Sequence, residues 1–186
     1  HNPDQLLIPA SSLKVVTTAS ALALLGADYT FKTRLVVDGD IDASGTLNGN
    51  LYIEGGGDPT LGSNNFGDWP LDELVDQWIA AIEKVEIKKI NGTIVGDGRF
   101  FSGPICGRTW PWEDLGNYYG SGAWGLNIHE NLYYIELQQN SKLGGLPKLN
   151  DHYPRIPGLL LINEVVSAEK GSGDQAYIFG APFQYT

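Results

Sequence analysis

The stretch that most constrains this chain runs from Pro9 to Gly26. Between those two residues nearly every side chain is small or apolar, and the only charge is Lys14. Proline fits the first turn of a helix, where its missing N–H costs nothing. Glycine takes the left-handed conformation that ends one. The stretch is therefore predicted to be a single helix. A helix that is apolar all round is expected to be buried. Desolvation disfavours an ammonium ion, so a lysine in such a helix is expected to lose its proton more easily. Ser11 lies three residues before Lys14, one turn away on the same face. Two readings follow. In one, Ser11 is a nucleophile and Lys14 the amine that takes its proton. In the other, Ser11 caps the helix and Lys14 extends its charge to solvent.

Ser-x-x-Lys is a weak pattern alone. The chain holds a second match, from Ser167 to Lys170, which runs into Gly171, Ser172 and Gly173. A flexible polar loop there would leave the lysine solvated, so only the first match has the apolar setting that activation needs.

Composition narrows the function classes. The net charge of −10 provides no basic face for nucleic acid and disfavours an anionic membrane surface. The lone cysteine, Cys106, cannot form an internal disulfide and reads as an inert, partly buried thiol. No apolar run approaches the roughly 20 residues that span a bilayer, and none reads as a signal peptide, which says little about compartment. The chain starts at His1 and contains no methionine, which reads as a fragment of a longer, processed protein.

Residues 30–37 alternate and read as a strand, followed by a turn at Asp38, Gly39 and Asp40. Residues 45–54 read as a strand pair around a turn at Asn48-Gly49. The three glycines at 55–57 precede Asp58 and lack the lysine of a phosphate loop, so they read as a structural turn. Residues 70–85 form an amphipathic helix, with Leu71, Leu74, Val75, Trp78, Ile79 and Ile82 on one face. A strand is expected over 87–95, entered through a turn at Asn91-Gly92-Thr93. Residues 104–125 crowd aromatics, glycines and acids without a period, as a small core under a loop or the lining of a ligand pocket. Residues 126–137 read as a strand, with His129 and Glu130 as surface polar residues, since no second histidine sits at ligand spacing. Residues 140–158 read as a loop, and two strands are expected over 159–168 and 175–183.

The segment from Pro9 through Ser11, Lys14 and Thr18 to Gly26 resembles the first active-site motif of the penicillin-binding D-alanyl-D-alanine carboxypeptidases. Three later stretches resemble the low-molecular-mass class C, DacB-like subgroup: Gly56 to Leu61, Ile90 to Asp97, and Trp110 to Asp114. The resemblance implies an α/β (α+β) fold in two parts. Residues 1–35 would be the N-terminal part of a penicillin-recognising, serine transpeptidase-like catalytic domain, and residues 36–186 an inserted mixed strand and helix domain, incomplete at its C-terminus. It implies a serine carboxypeptidase/endopeptidase of the cell envelope, periplasmic or extracellular, that works without a cofactor. Ser11 and Lys14 would be catalytic, the substrate a peptidoglycan stem peptide ending in D-Ala-D-Ala, and β-lactams the inhibitors. Asp114 and Tyr119, with Trp112 beside them, match the positions that contact a diaminopimelate side chain in relatives. The bland alternative has Asp114 capping a short helix and Tyr119 in a core.

The family's Ser-x-Asn and Lys-Thr/Ser-Gly motifs are absent. The one Ser-x-Asn, from Ser63 to Asn65, falls inside the insert and reads as coincidence. The missing motifs are expected in a remainder of the same polypeptide, and this chain alone is expected to be inactive. A catalytically silent wall-binding module, or another Ser-x-x-Lys hydrolase such as an esterase or β-lactamase, are the competing classes.

Overall fold

A computed structural model describes residues 4–66 and 69–180. The chain divides into two compact units, His1–Phe31 and Lys32–Thr186. The first contains a 3-10 turn, Ala10–Ser12, that leads directly into helix α1, Leu13–Leu25. Gly26 ends α1 at φ 86°, donating its N–H to Leu22 O at 3.0 Å. The helix therefore spans the predicted range, but it is not buried. Every described residue of this unit is exposed, with Leu24 at 84% and Val15 at 70%. An apolar helix is buried only where a second layer packs on it. Among the described residues this unit holds one helix and no strand.

The second unit is built on a sheet whose centre is β2, Thr46–Glu54. Strand β1, Arg34–Ile41, pairs with it antiparallel, from Arg34 opposite Glu54 to Ile41 opposite Leu47. On the other side β3, Lys89–Ile90, and β4, Ile94–Asp97, both pair with β2 in parallel. Parallel pairing requires a crossover. Helix α2, Leu71–Lys84, supplies it, with Asp72 and Glu73 in its first turn and Lys84 in its last, as the helix dipole favours. The register places Leu35, Val37, Ile41, Leu47, Leu51, Ile53, Ile90 and Ile94 on one face. The core lies under the centre of that face, where Leu47, Leu51, Leu74 and Ile87 are buried. Ile79, Ile82, Ile87 and Ile90 line an open groove of about 530 Å³ beside it.

Two expected turns are strand instead. Asp38, Gly39 and Asp40 lie within β1, and Asn48-Gly49 lies within β2. Gly39 faces Gly49 across the ladder, at φ 139° and 159°. A Cβ on either would collide with the opposing backbone, so the two glycines serve a close approach of strands. The real turn follows at Asp42. Its Oδ1 accepts hydrogen bonds from the Ser44 N–H (2.9 Å), the Ser44 hydroxyl (2.6 Å) and the Thr46 N–H (3.0 Å). Those bonds, led by the Ser44 hydroxyl, lower the Asp42 carboxyl to about 2. The Asn91 turn between β3 and β4 occurs as expected, and Asn91 Nδ2 donates to Asn48 Oδ1 at 3.0 Å.

A second, two-stranded antiparallel sheet pairs β5, Tyr134–Gln138, with β6, Lys148–Tyr153. The strand expected over 126–137 thus begins only at Tyr134. Ahead of it, His129, Glu130 and Asn131 form a turn at φ 53°, 59° and 55°. Asparagine and histidine tolerate that left-handed region better than most residues. His129 is buried at 4% exposure, which corrects its reading as surface polar. Its ring lies edge-on to Tyr134 and Tyr153, and Nδ1 meets Gly62 O at 3.1 Å. The loop expected over 140–158 contains β6. Residues 159–168 and 175–180 run without ladder pairing, although alternate residues over 159–167 are half-buried. Their period-2 pattern is real, but a strand also needs a partner backbone. Residues 181–183 lie outside the described residues.

Candidate functional site

Ser11 sits in the 3-10 turn and Lys14 is the second residue of α1, so local helix geometry alone brings them one turn apart. Ala10, immediately before Ser11, adopts φ 45°, a conformation that costs a non-glycine residue about 1–3 kcal/mol and concentrates at functional positions. The Ser12 hydroxyl is spent on Pro9 O. Thr17 and Thr18 bond back to the carbonyls of Leu13 and Lys14. Among the described residues no hydrogen bond occupies the Ser11 hydroxyl or the Lys14 amine, and both side chains are exposed. The capping reading of Ser11 finds no support, since no side-chain cap bond forms at either N-terminus. The solvent reading of Lys14 agrees with its exposure in this chain.

The second candidate group lies in the other unit, on the aromatic loop. Two 3-10 turns shape it, Trp112–Asp114 after Pro111 and Tyr118–Gly120 after Asn117. The Asn117 side chain donates to Glu113 O at 2.7 Å, and the Gly120 N–H to Asn117 O at 2.8 Å. These bonds fold the two turns together and bring Asp114 to Tyr119. Burial first, and then the Asp114 carboxylate as charge and hydrogen-bond acceptor, push the Tyr119 phenol above its ordinary range. The rings of Tyr118 and Tyr119 meet edge to face at 5.2 Å. Trp112, Tyr118 and Tyr119 remain more than half exposed. Tyr119 is 56% exposed, so it is not packed in a core. The arrangement is a carboxylate among open aromatic faces, which suits a cation.

What holds this loop was not legible in the sequence. Asn127 is buried at 8% exposure. Its Nδ2 donates to Trp124 O at 2.7 Å and to Asp58 O at 3.4 Å. Its Oδ1 accepts from the Trp124 N–H at 3.0 Å and from Asn131 Nδ2 at 2.6 Å. The loop closes where the Ala123 N–H donates to Ile105 O at 3.1 Å, and the Gly57 N–H reaches Gly125 O at 2.7 Å. Asn127 therefore ties the end of the aromatic loop to Asp58, directly after the glycine turn at 55–57. An isolated asparagine between apolar residues carries no signal of such a role.

Ser63 is also buried. Its hydroxyl donates to Glu130 at 2.6 Å and accepts the Asn65 and Phe66 N–H groups at 3.0 Å, so the Ser-x-Asn there forms a structural turn. Ser167 accepts the Asn140 N–H at 2.8 Å while Lys170 is exposed. Cys106 is half-buried. Among the described residues no group of three or more His, Cys, Asp or Glu side chains gathers as a metal site would. No described helix is long and apolar enough to cross a membrane.

The model of the D-Ala-D-Ala carboxypeptidase 3 (S13) family matches residues 1–175. D-alanyl-D-alanine carboxypeptidase DacB of Haemophilus influenzae is 33% identical over 150 residues, covering 81% of this chain and 29% of that protein. The crystal structure of penicillin binding protein 4 (dacB) from the same organism superposes with a TM-score of 0.68 at 34% identity, over 81% of this chain and 31% of that one. The same protein complexed with a novel β-lactam gives a TM-score of 0.56 at 30% identity, over 81% of this chain and 28% of that one. The chain thus spans about three tenths of the length of the relatives it matches. The mixed α/β architecture agrees with that fold, and the chain belongs to the D-Ala-D-Ala carboxypeptidase 3 (S13) family.

Proposed function

We propose that this chain carries the nucleophile and base of a serine-type D-alanyl-D-alanine carboxypeptidase/endopeptidase acting on peptidoglycan stem peptides. The observation that carries the reading is the family match across residues 1–175, which includes a Ser-x-x-Lys pair at the entrance of a helix. Ser11 Oγ attacks the carbonyl carbon between the two D-alanines, and Lys14 Nζ, as the free amine, takes the hydroxyl proton. The N–H of Ser11 belongs to the first turn, whose amides have no partner within a helix, and it faces the developing oxyanion. The C–N bond breaks, the terminal D-alanine leaves with the proton from Lys14, and water hydrolyses the ester. A β-lactam acylates the same oxygen, and the β-lactam complex of the Haemophilus relative supports that expectation.

A free Lys14 amine requires a drier setting than α1 has in this chain. The reading therefore includes a remainder of the polypeptide that covers α1 and brings the Ser-x-Asn and Lys-Thr-Gly motifs. In that layout residues 1–35 belong to the catalytic domain and residues 36–186 to an inserted domain, and the enzyme works in the periplasm or outside the cell. Asp114, Tyr119 and Trp112 receive the ammonium end of the stem-peptide side chain. The experiment is acylation of the longer polypeptide by a penicillin, read by mass spectrometry on the peptide carrying Ser11. A stable adduct that is lost in Ser11→Ala is the expected result. An unmodified Ser11 in folded protein overturns the reading and favours a silent wall-binding module, whereas rapid β-lactam release favours a β-lactamase.

A further inference from the structure

The loop that carries Asp114 and Tyr119 has a neighbour from a distant part of the chain. Residues 175–180 run past the aromatic loop, and the Ile178 carbonyl stands where a Cβ on Gly116 would be. Only a glycine at 116 allows that approach. In an extended run the residues on either side of Ile178 share a face. Tyr177 and Phe179 do so, with ring centroids 6.5 Å apart at 35°. Both are more than half exposed, at 58% and 59%, as Tyr119 is at 56%. After burial and Asp114, Tyr177 adds to what raises the Tyr119 phenol, as a neighbour of that ring does. The backbone contact of the adjacent Ile178 with Gly116 thus sets Tyr177 beside the loop that holds the carboxylate.

We propose that Tyr177 is a specificity-determining residue for the side-chain ammonium of the substrate, supplying an aromatic face beside the Asp114 carboxylate and the Tyr119 ring. This rests on the reading of Asp114 and Tyr119 given above. A single carboxylate in the open attracts a cation weakly and is screened by salt. Aromatic faces strengthen the attraction and add no net charge that would need its own partner. Tyr177 confers selectivity for peptides that keep a free amine over those in which it is blocked, and it takes no part in the acyl transfer at Ser11.

The test uses the full-length polypeptide and two stem peptides ending in D-Ala-D-Ala. One has a free side-chain amine and the other has that amine acetylated. Tyr177→Ala is expected to lower the preference for the free-amine peptide about three- to tenfold, the range for one partly desolvated cation–π contact. The loss should lie in KM, with kcat and the rate of penicillin acylation at Ser11 unchanged. Tyr177→Phe should retain most of the preference, because the face remains. An equal loss for both peptides, or an unchanged preference in Tyr177→Ala, overturns the proposal. Asp114→Asn separates the two levels. If it removes the preference and Tyr177→Ala does not, the Tyr177 assignment alone falls. If the wild type has no preference, or Asp114→Asn leaves it intact, the cation site falls and Tyr177 with it.

Discussion

Helices α1 and α2 are nearly the same length, 13 and 14 residues, and opposite in what they need from the rest of the protein. Helix α2 is amphipathic, and one residue of its apolar face, Leu74, is fully covered while its charges lie toward water. Helix α1 is apolar all round, and none of its residues is covered. Helix α2 fits a surface layer and finds its core within the same unit, whereas α1 is the one without cover. Helix α1 fits an interior, and within its own unit the described residues provide none. The difference teaches that a local pattern states a demand for burial, while the surrounding chain decides whether the demand is met. Lys14 is where this matters chemically, because the role proposed for it as a base depends on a covering layer that the described residues do not provide.

The sharpest way to break the comparison is to truncate one leucine in each region. Leu47 is fully buried, and Leu47→Ala is expected to cost about 2–5 kcal/mol, read as a lower urea midpoint of this chain. Leu24→Ala, at a residue 84% exposed, should change it by less than about 0.5 kcal/mol. In the longer polypeptide proposed above, Leu24→Ala should become as costly as a core truncation. Equal and small effects in both proteins would refute the covering layer.

A smaller loss is expected at the clamp of the aromatic loop. Asn127→Ala leaves the Trp124 N–H and the Trp124 and Asp58 carbonyls without this partner, at a cost of about 1–3 kcal/mol. Amide hydrogen exchange should report loosening at residues 123–126 and leave α1 untouched. Protection unchanged at the loop would show that Asn127 does not hold it.

The smallest effect concerns pH and lies in the second unit. Asp42 and Asp97 are both lowered to about 2, Asp42 first by the Ser44 hydroxyl and Asp97 first by its hydrogen bonds with Arg99. A carboxyl depressed in the folded state stabilises it fully above the ordinary value of 3.8. That stability is lost as pH falls toward about 2, where the folded form also takes up its proton. Stability of the sheet is therefore expected to decline between about pH 4 and pH 2, and Asp42→Asn should flatten the decline. An unchanged slope in that variant would remove Asp42 from the account. Asp42 is exposed and Asp97 is paired with an exposed Arg99, so the change is expected to be modest and to shrink with salt.

Elements whose cues are local were legible in the sequence. Helix α2 was expected over 70–85 and occupies Leu71–Lys84, because Pro70, the apolar stripe and the acidic first turn all lie within it. The Asn48-Gly49 and Asp38-Gly39-Asp40 pairs misled, because the same residues that favour turns also permit two strands to approach closely. Only the pairing of Gly39 with Gly49 distinguishes those uses, and pairing is not local. The left-handed turn at His129–Asn131 was hidden in the same way, since its support comes from Ser63 and Gly62. At the candidate site, Ser11 and Lys14 could be found from spacing on one helix. Asp114 and Tyr119 required the family resemblance, and the contacts of Asn127 with Asp58 and of Ile178 with Gly116 join segments that no sequence window contains.

Everything proposed for this chain turns on acylation of Ser11. The most direct test is to incubate the full-length polypeptide with a penicillin, denature and digest it, and weigh the peptide that carries Ser11. The account expects a stable penicilloyl mass on that peptide, absent in Ser11→Ala. Folded protein in which Ser11 stays unmodified would contradict it.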